Sequence, residues 1–514
     1  MTAYEASTAT VTSSCPSSPM AIMLQGTGSN VGKSLLVAGL CRLFSRRGLR
    51  VRPFKPQNMS NNAAVTVEGG EIGRAQAMQA QACRVVPSVH MNPVLLKPQG
   101  TGQAQVIVAG HVWGTSTAHD YQFLKPTLLP LILQSFQTVA AGADLVVVEG
   151  AGAAAEVNLR HGDIANMGFA EAADLPVVLV GDIDRGGVIA ALVGTHVLLR
   201  PAEQVRIQGF LINKFRGDVR LFNPALTLIA ARTGWRPFGI VPWFHAACHL
   251  PAEDSMGLDC RYQPAASPVD GSAGVNQEMI RIAVPRLPHI SNFDDFDPLR
   301  AESDVLLSFI APGTALPGDA DIVILPGSKA TLADLATLRA EGWAADITAH
   351  LRRGGLVVGL CAGYQMLGRS LRDPGGIEGP SDVADGLGLL DVETVITRPK
   401  VLRAVAAAYD LLSGEPLHGY EMHAGRTEGP DRQRPWLKVG SQAEGACSAD
   451  GRVRGCYIHG LFAADGFRQA FLASLRPRRR GALAFAARVE ATLDSLADHL
   501  ETHVDISALL ALVS

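Results

Sequence analysis

Cysteine is sparse in this chain of 514 residues, and long apolar runs are missing. The eight cysteines show no C-x-x-C spacing, which argues against a disulfide framework and against a zinc ribbon. Reduced thiols indicate a cytoplasmic protein. No window reaches the roughly 18 uninterrupted apolar residues that a membrane-spanning helix needs. The net charge of −3 provides no electrostatic reason to expect nucleic acid or a membrane surface as a partner.

We do not expect the first residues to be a signal peptide. Residues 1–19 are rich in Ser, Thr and Pro but have neither a basic n-region nor an apolar h-region, so we expect a disordered tail. The length exceeds what one hydrophobic core usually supports, so two or more domains are expected. Residues 245–275 lose hydrophobic periodicity and carry Pro, Gly, Ser and Asp, which is typical of an interdomain linker.

A glycine-rich loop stands near the start of the chain. A short apolar run leads into Gln25-Gly-Thr-Gly-Ser-Asn-Val-Gly-Lys-Ser34, and an apolar helix follows. Strand, loop and helix in this order cradle phosphates with backbone N–H groups, while Lys33 reaches the terminal oxygens and Ser34 binds Mg²⁺. The strict G-x-x-x-x-G-K-[ST] pattern fails at Thr27, so the loop is a variant. Its predicted nucleotide-binding residues are Thr27, Gly28, Asn30, Gly32, Lys33 and Ser34.

Polar side chains follow several other apolar runs of the N-terminal half. Strands that alternate with helical segments predict a doubly wound parallel sheet, whose carboxyl edge binds ligands. Glu149 ends the clearest strand and is the predicted Mg²⁺ ligand beside Ser34. Lys55, which follows another β-prone run, is also predicted to bind the nucleotide. Asn213 ends the predicted strand that starts at Ile207, and in related nucleotide-binding folds an Asn at this position reads the purine. Further candidates for substrate or phosphate contacts are Asn58, Asp182, Asp184 and Arg185.

The C-terminal half contains a second motif, Gly359-Leu-Cys-Ala-Gly-Tyr-Gln-Met-Leu367, where a β-prone run turns into a helix at a Cys. Such a strand–turn–helix segment is a nucleophile elbow. The flanking glycines permit the tight turn, so the Cys361 thiol projects from it beside the free N–H groups of the new helix. The sequence therefore predicts a nucleophilic Cys361.

A thiolate nucleophile needs a base and an oxyanion hole. His459 ends a short β-prone run within Gly455-Cys-Tyr-Ile-His-Gly-Leu-Phe462 and is the predicted base. An apolar strand upstream ends in a Pro-Gly turn at Gly327. Its backbone N–H groups, together with that of Ala362, form the predicted oxyanion hole.

The Pro-Gly strand, the Cys and the His, in this order, resemble the class I glutamine amidotransferase family. Such enzymes usually carry a Glu two residues after the His, whereas this chain has Leu461. That departure is similar to the cobyric and cobyrinic acid synthetase branch, which works with Cys and His and lacks the usual third carboxylate. Whether Glu421 or a backbone carbonyl orients His459 is left open.

Other segments strengthen the resemblance to that branch. The loop at Lys33 is similar to that of dethiobiotin synthetase and its amidoligase relatives. Lys55-Pro-Gln-Asn-Met-Ser60, Gly419-Tyr-Glu-Met-His-Ala-Gly-Arg-Thr427 and the run of residues 286–298 resemble those members of the branch that produce cobyric acid. Within that run, chemistry alone interprets residues 291–297 as a helix cap. The resemblance covers essentially residues 20 to 510.

The resemblance implies an α/β protein with a P-loop amidoligase domain over residues 20–244 and a flavodoxin-like amidotransferase domain over residues 276–475. From the sequence itself, residues 467–514 have mainly the pattern of amphipathic helix, and we expect the C-terminal helical segment, residues 476–514, to pack on the amidotransferase domain. ATP and glutamine would be substrates, Mg²⁺ a cofactor, and a cobalt corrinoid the acceptor, with no bound metal prosthetic group. The reaction would be amidation of the b, d, e and g carboxylates of adenosylcobyrinic acid a,c-diamide, giving adenosylcobyric acid. The oligomeric state is left open, and a homo-oligomer is one option.

Two alternatives remain. An a,c-diamide synthetase of the same family shares both domains, although the segments at Lys55 and at residues 291–297 speak against it. From another class, a non-catalytic P-loop switch of the partition-ATPase kind with a degenerate amidotransferase module is favoured by one feature, the missing Glu after His459.

Overall fold

The computed structural model describes residues 20–99, 102–253, 279–379, 382–476 and 483–513. The expected tail of residues 1–19 and most of the expected linker lie outside the described residues. None of the helices in the described ranges is long and apolar enough to cross a membrane.

The first domain alternates strands and helices along the chain, as the sequence predicts. Its strands are β1 (Met20–Gly26), β2 (Val51–Phe54), β3 (Gln57–Met59), β4 (Ala63–Val65), β5 (Glu71–Gly73), β6 (Val94–Gln99), β7 (Gln103–Val108), β8 (His111–Thr117), β9 (Leu145–Glu149), β10 (Val177–Asp182), β11 (Ile207–Phe215) and β12 (Arg236–Pro242). Its helices are α1 (Lys33–Arg46), α2 (Arg74–Ala82), α3 (Ala118–Ala140), α4 (Met167–Ala172), α5 (Val188–Leu198), α6 (Pro201–Arg206) and α7 (Asn223–Thr233).

A six-stranded parallel sheet in the order β12-β11-β10-β1-β9-β2 forms the centre of this domain. Successive side chains of a strand point to opposite faces, so Met23 packs in one hydrophobic core and Leu24 in the other. Apolar residues on both faces explain why these strands are almost continuously apolar. In register, Leu24 of β1 lies opposite Glu149 of β9, which brings the glycine-rich loop next to that carboxylate. The predicted doubly wound α/β fold is confirmed.

A smaller sheet in the order β3-β6-β7-β8 flanks the central one. Strands β6, β7 and β8 pair antiparallel, whereas β3 pairs parallel with β6. No sequence pattern predicted this sheet, which packs against the second domain through Leu95 and Ile107.

The second domain follows from residue 280. Its strands are β13 (Ile280–Pro285), β14 (Ile290–Ser291), β15 (Val305–Ile310), β16 (Ile322–Leu325), β17 (Gly327–Ser328), β18 (Leu356–Leu360), β19 (Ser370–Asp373), β20 (Asp382–Asp385), β21 (Glu393–Val395), β22 (Val401–Asp410), β23 (Pro416–His423), β24 (Arg426–Glu428), β25 (Leu437–Val439), β26 (Gln442–Glu444), β27 (Ala446–Cys447), β28 (Val453–Cys456) and β29 (Ile458–His459). Its helices are α8 (Asp297–Arg300), α9 (Thr331–Ala340), α10 (Trp343–Arg352), α11 (Ala362–Leu367) and α12 (Asp465–Ala473). Two further helices, α13 (Phe485–His503) and α14 (Ile506–Leu510), end the described chain.

The main sheet of the second domain has the order β15-β13-β16-β18-β28-β27, parallel except for β27. A second sheet, β26-β25-β22-β23-β29, is antiparallel and carries His459 on its last strand. One continuous hydrophobic core spans both sheets.

Buried ionic groups join the two domains. The carboxylate of Glu71, from the first domain, accepts hydrogen bonds from Lys97 at 2.8 Å and from Lys400 of the second domain at 2.7 Å. Arg74 of the first domain pairs with Asp294 of the second. A small apolar cluster, which includes Leu95 and residues of β23, packs beside them. These contacts hold the two domains together.

The C-terminal helices contradict the expectation that this segment packs on the amidotransferase domain. Leu493, Leu496 and Leu500 of α13 are buried in the core that contains α1 of the first domain. Arg42 of α1 is buried and donates a hydrogen bond to Asp494 at 2.8 Å. The chain therefore returns to its first domain at its end, which an amphipathic pattern alone cannot reveal, because such a pattern identifies a buried face but not its partner.

Candidate active sites

Cys361 occupies a strained turn between β18 and α11. Its backbone lies at φ 50° and ψ −108°, a region that residues with a side chain rarely adopt and that functional sites retain. A Cβ atom on Gly363 would approach the carbonyl oxygen of Leu325 to 2.2 Å, so the turn requires glycine there. The turn thus has the geometry of the predicted nucleophile elbow, with the thiol at the start of a helix.

His459 is paired with a carboxylate that the sequence analysis did not assign. Its Nδ1 lies 2.7 Å from Oδ2 of Asp295, and both side chains are buried. The backbone N–H of Gly460 donates to the other oxygen of Asp295 at 2.6 Å. The interpretation of residues 291–297 as only a helix cap is therefore wrong. The position two residues after His459 is Leu461, as the sequence shows, and the carboxylate at the imidazole is that of Asp295 instead of Glu421.

Glu421, the alternative orienting group, forms an ion pair with Arg403 and not with His459. Its two carboxylate oxygens accept hydrogen bonds from Arg403 at 2.6 and 2.7 Å. Glu421 lies opposite Ile458 in the antiparallel pair of β23 and β29, so its side chain is one position away from His459.

The electrostatics of the pair favour a protonated imidazole. Burial alone lowers the pKa of His459, but the Asp295 carboxylate and the Cys361 thiolate outweigh it and raise the pKa to about 10. With Nδ1 held by Asp295, Nε2 is the ring nitrogen that remains available, and its proton exchange with Cys361 stays a prediction. Cys361, His459 and Asp295 together form the arrangement of a nucleophile, a base and a group that orients the base.

The predicted oxyanion residues lie on both sides of the elbow. Ala362 is the first residue of α11, so its N–H has no acceptor within the helix. Gly327 pairs with Ser291 in the short β14–β17 ladder, and a Cβ atom there would stand 3.0 Å from Cε1 of His459. Their role as oxyanion donors stays a prediction.

A cavity of about 530 Å³ opens at Cys361. Residues of the second domain, including Lys329, Gln365 and His423, form one part of its wall, while Lys97 and Gln105 of the first domain form another. This volume is typical of a small-molecule site.

In the first domain, the glycine-rich loop is fixed from several sides. Lys33 donates to the carbonyl oxygens of Gly28 at 3.1 Å and Gly152 at 2.9 Å. The Thr27 N–H donates to the carbonyl oxygen of Val180 at 2.9 Å. Burial, followed by the charge of Lys55, lowers the pKa of Lys33 to about 8. Gly32, at φ 95°, needs glycine's conformational freedom at the start of α1.

Asn213 contacts this loop directly. Its side-chain nitrogen donates to the Val31 carbonyl oxygen at 2.8 Å. The neighbouring Lys214 donates to the carbonyl oxygen of Asn30 at 2.5 Å and pairs with Asp182 at 2.7 Å. The structure therefore places Asn213 at the loop, where it supports the loop's conformation, and a contact with the purine stays a prediction.

Glu149 is the centre of a buried hydrogen-bond network. It accepts from Ser34 at 2.7 Å, from Lys55 at 2.7 Å and from Gln79 at 2.5 Å. The predicted neighbours Ser34, Lys55 and Glu149 are thus brought together at the carboxyl edge of the sheet.

A second carboxylate, that of Glu253, completes the network and was missed. It accepts from Lys55 at 2.5 Å, and its other oxygen lies 2.5 Å from the Ser34 hydroxyl, whose single proton is shared between Glu149 and Glu253. Burial alone would lower the pKa of Lys55, but Glu149 and Glu253 outweigh it and raise the pKa. Residues 245–253, expected to belong to a linker, lie against the first domain, with Leu250 buried in its core. This segment has no hydrophobic periodicity, so nothing in the sequence indicated that Glu253 would lie at the nucleotide site.

Two of the remaining strand-tip candidates, Asn58 and Asp184, are hydrogen-bonded to protein groups. Asn58 donates to Gln76 at 2.9 Å. Asp184 accepts from Arg216 at 2.8 Å. Arg185 and Asp184 line the same large cavity as the glycine-rich loop. Their contacts with substrate stay predictions.

The oxygen atoms of Ser34, Glu149 and Glu253 fit the preference of Mg²⁺ for hydroxyl, carboxylate and water ligands. Within the described ranges there is no group of three or more His, Cys, Asp or Glu side chains that could hold a metal ion by themselves. Magnesium that shares its ligands with nucleotide phosphates agrees with such a sparse protein contribution.

The loop opens into a cavity of about 1180 Å³, larger than most single-ligand pockets. Leu96 of β6 and Val106 of β7 line this cavity, whereas the alternate residues Lys97 and Gln105 line the cavity at Cys361. Because alternate side chains of a strand point to opposite faces, the small sheet is the wall between the two cavities.

Both domains match known families. Residues 22–257 match the CobQ/CobB/MinD/ParA nucleotide binding domain, and residues 281–467 match the CobB/CobQ-like glutamine amidotransferase domain. The predicted combination of a nucleotide-binding and an amidotransferase domain is thus confirmed.

Curated relatives agree over nearly the whole length. The chain is 59% identical to a cobyric acid synthase of Methylorubrum populi and 59% identical to one of Rhodobacter capsulatus. It is 56% identical to one of Bradyrhizobium diazoefficiens. Each comparison covers 96% of this chain and 99% of the relative. The chain therefore belongs to the cobyric acid synthase family, whose members are ligases that form amides.

Proposed function

We propose that this chain amidates the b, d, e and g side-chain carboxylates of adenosylcobyrinic acid a,c-diamide and releases adenosylcobyric acid. ATP activates each carboxylate, and glutamine supplies the nitrogen. Family membership supports this reaction. The structural observation that carries it is the pair of cavities on opposite faces of one small sheet, one at Cys361 and one at the glycine-rich loop.

At the first site, glutamine is hydrolysed. Cys361 attacks the carboxamide carbon, and the N–H groups of Ala362 and Gly327 stabilise the oxyanion. The carbon–nitrogen bond breaks as the Nε2 proton of His459 passes to the leaving ammonia, which leaves a thioester on Cys361. His459 then accepts a proton from water, whose attack on the thioester releases glutamate. Asp295 keeps the imidazole oriented and stabilises its charged form.

At the second site, a substrate carboxylate attacks the γ-phosphorus of ATP, so that ADP leaves and an acyl phosphate forms. Lys33 and the loop N–H groups stabilise the charge that develops on the phosphate oxygens. Mg²⁺ held by Ser34, Glu149 and Glu253 would neutralise part of the same charge. Ammonia attacks the acyl carbon, phosphate leaves, and an amide remains.

The ammonia released at the first site must reach the second site. Ammonia becomes protonated in bulk water at neutral pH and then no longer attacks, so a sheltered route between the cavities is required. The small sheet of β6, β7 and β8 is the barrier that this route has to pass. Free cysteine thiols among the described residues agree with a reducing compartment, and we propose that the reaction takes place in the cytoplasm.

The two alternatives lose support. The curated relatives carry the name of the cobyric acid enzyme and not that of the a,c-diamide synthetase. A non-catalytic switch was favoured by the missing Glu after His459, but Asp295 supplies a buried carboxylate to that histidine.

The test is mass spectrometry of the purified protein incubated with the corrinoid a,c-diamide, Mg-ATP and glutamine. We expect exactly four acid-to-amide conversions, each dependent on both ATP and glutamine. Conversion of the unamidated acid alone would instead identify an a,c-diamide synthetase. If neither corrinoid changes while glutamine is still hydrolysed, the proposed acceptor is wrong and the amidotransferase assignment stands.

A further inference from the structure

Helix α3 buries a lysine in the middle of an apolar stripe. Its buried positions include Tyr121, Lys125, Leu128 and Ile132, which recur at the spacing of one helix face. Leu128 and Ile132 pack in the core of the first domain, and Tyr121 belongs to the same cluster. Lys125 occupies a core position in this pattern and is only 8% exposed.

The protein provides little compensation for the charge at the end of this buried side chain. Among the described residues, the Lys125 ammonium makes no hydrogen bond and no ion pair; it lies over the Tyr121 ring, 5.7 Å from the centroid. Burial lowers the pKa of Lys125, and the charges of Asp163 and Glu156 oppose that shift only in part. Asp163 is itself occupied by the backbone N–H groups of Ala165 and Gly168. The ammonium reaches the cavity at the end of a buried stem and has no acceptor among the described residues, so the apolar stripe alone does not explain a lysine at this position.

Lys125 lines the large cavity that also contains the glycine-rich loop. Gln122 of the same helix and Ser116 of β8 are its neighbours along this wall. The loop already has its own cations, Lys33 and Lys55, for the phosphates and for Glu149. Of the other cations that line this cavity, Arg160 and Lys214 are paired with carboxylates, and Arg185 follows β10. Lys125 lies on a helix outside the phosphate-binding loop and has no such partner among the described residues, so it suits an anion other than the nucleotide.

We propose that Lys125 is a specificity-determining residue that binds a peripheral carboxylate of the acceptor substrate. This inference rests on the proposed function, because the acceptor is a molecule with several carboxylates on a large ring. A carboxylate supplies the missing partner, and an apolar wall around the ammonium strengthens the ion pair. Each amidation replaces a carboxylate by a neutral amide, so this contact discriminates acids from finished amides.

The experiment compares Lys125→Met and Lys125→Arg with the wild-type protein. The matched control is Lys438→Met, which removes the same charge from an exposed position of the second domain. Initial rates are measured against corrinoid, ATP and glutamine in turn, and thermal unfolding is recorded for every variant. In Lys125→Met we expect KM for the corrinoid to rise roughly tenfold to a hundredfold, as for the loss of a charged hydrogen bond.

The KM for ATP and the basal glutaminase rate should stay unchanged, and Tm should stay equal or rise, since methionine suits the apolar stripe. Lys125→Arg should keep KM for the corrinoid within a few-fold, because a guanidinium also pairs with a carboxylate.

Three results would overturn the inference. An unchanged KM for the corrinoid in Lys125→Met would show that Lys125 does not contact the corrinoid. A rise confined to the KM for ATP would show that Lys125 binds a nucleotide phosphate instead. A lowered Tm with all kinetic parameters impaired alike would indicate a structural lysine. Failure of the wild-type protein to amidate the corrinoid would be a failure of the proposed function, and it is distinguished from these results before any variant is tested.

Discussion

Each active site contains a buried carboxylate, but the two carboxylates have different partners. Glu149 accepts from an ammonium, a hydroxyl and an amide, and it shares two of these donors with Glu253. Asp295 accepts from one imidazole and one backbone N–H. The first arrangement suits a carboxylate that exchanges partners as metal and nucleotide bind, whereas the second fixes one ring in one orientation. The difference favours a ligand-binding role for Glu149 and a positioning role for Asp295.

The largest effect on activity is expected from substitution of Cys361, because this change should abolish the function of one site and leave that of the other intact. Cys361→Ala should lower glutamine-dependent amidation by roughly four orders of magnitude or more, because the covalent intermediate cannot form. Ammonia-dependent amidation should be retained, since the other site keeps its residues. Rates with glutamine and with ammonium chloride at alkaline pH provide the measurement. Equal loss with both nitrogen sources would mean that the elbow also supports the ATP site.

Asp295→Asn should have the next largest effect and should act on glutamine hydrolysis. An amide keeps the size of the side chain but neither compensates the imidazolium nor enforces its tautomer. We expect glutaminase kcat to fall by roughly 10²- to 10⁴-fold. Ammonia-dependent amidation is the internal control and should change little.

The pH profile sharpens this prediction. With Asp295 in place the pKa of His459 is raised to about 10, so the protonated imidazole that donates to ammonia persists at neutral pH. Activity is therefore lost on the alkaline side as His459 loses its proton near pH 10. Removal of the carboxylate charge lowers that pKa, so the alkaline limb of Asp295→Asn should move toward neutral pH. Glu421→Gln, the matched control, should leave the limb unchanged, and a shift in that variant would contradict the assignment.

Glu149→Gln should impair the opposite site. Its amide cannot neutralise Lys55 and binds Mg²⁺ more weakly, so ATP-dependent amidation should fall about a hundredfold. Basal glutaminase activity, measured as glutamate release, should stay near the wild-type value. Glu253→Gln should cost less, because the Glu253 side chain is 26% exposed while that of Glu149 is 1% exposed. The reverse order would make Glu253 the principal metal ligand.

The same contrast explains which carboxylate was predictable from the sequence. Glu149 ends an apolar strand, and parallel strands end at a common edge, so its neighbourhood with Ser34 follows from two local patterns. Asp295 stands 164 residues before His459, and no local period connects them. The polar turn around Asp295 also satisfied a simpler interpretation, that of a helix cap. Cys361 was predictable because its turn is encoded by adjacent glycines.

Glu253 was missed, and the packing partner of the C-terminal helices was predicted wrongly, for related reasons. The segment before Glu253 has no periodicity, so its packing against the first domain depends on tertiary contacts alone. In α13 the apolar face was visible, but the surface that it covers lies more than 400 residues away in α1. Local patterns specify elements and their buried faces, while partners that are distant in sequence require the folded chain.

Leu500→Ala should have the smallest effect on catalysis and a clear effect on stability. Leu500 is fully buried, and a Cβ atom on Gly39 of α1 would lie 2.5 Å from its Cδ1, so the two helices are in close contact there. Truncation should lower the free energy of unfolding of the first domain by about 2–5 kcal/mol. Hydrogen exchange locates the effect: protection should fall in α1 and stay constant in β18, beside Cys361. Thr502→Ala, at an exposed position of the same helix, should change stability by no more than about 0.5 kcal/mol. Loss of protection in β18 instead would mean that the last helices stabilise the amidotransferase domain, and the division of the chain between its two sites would have to be redrawn.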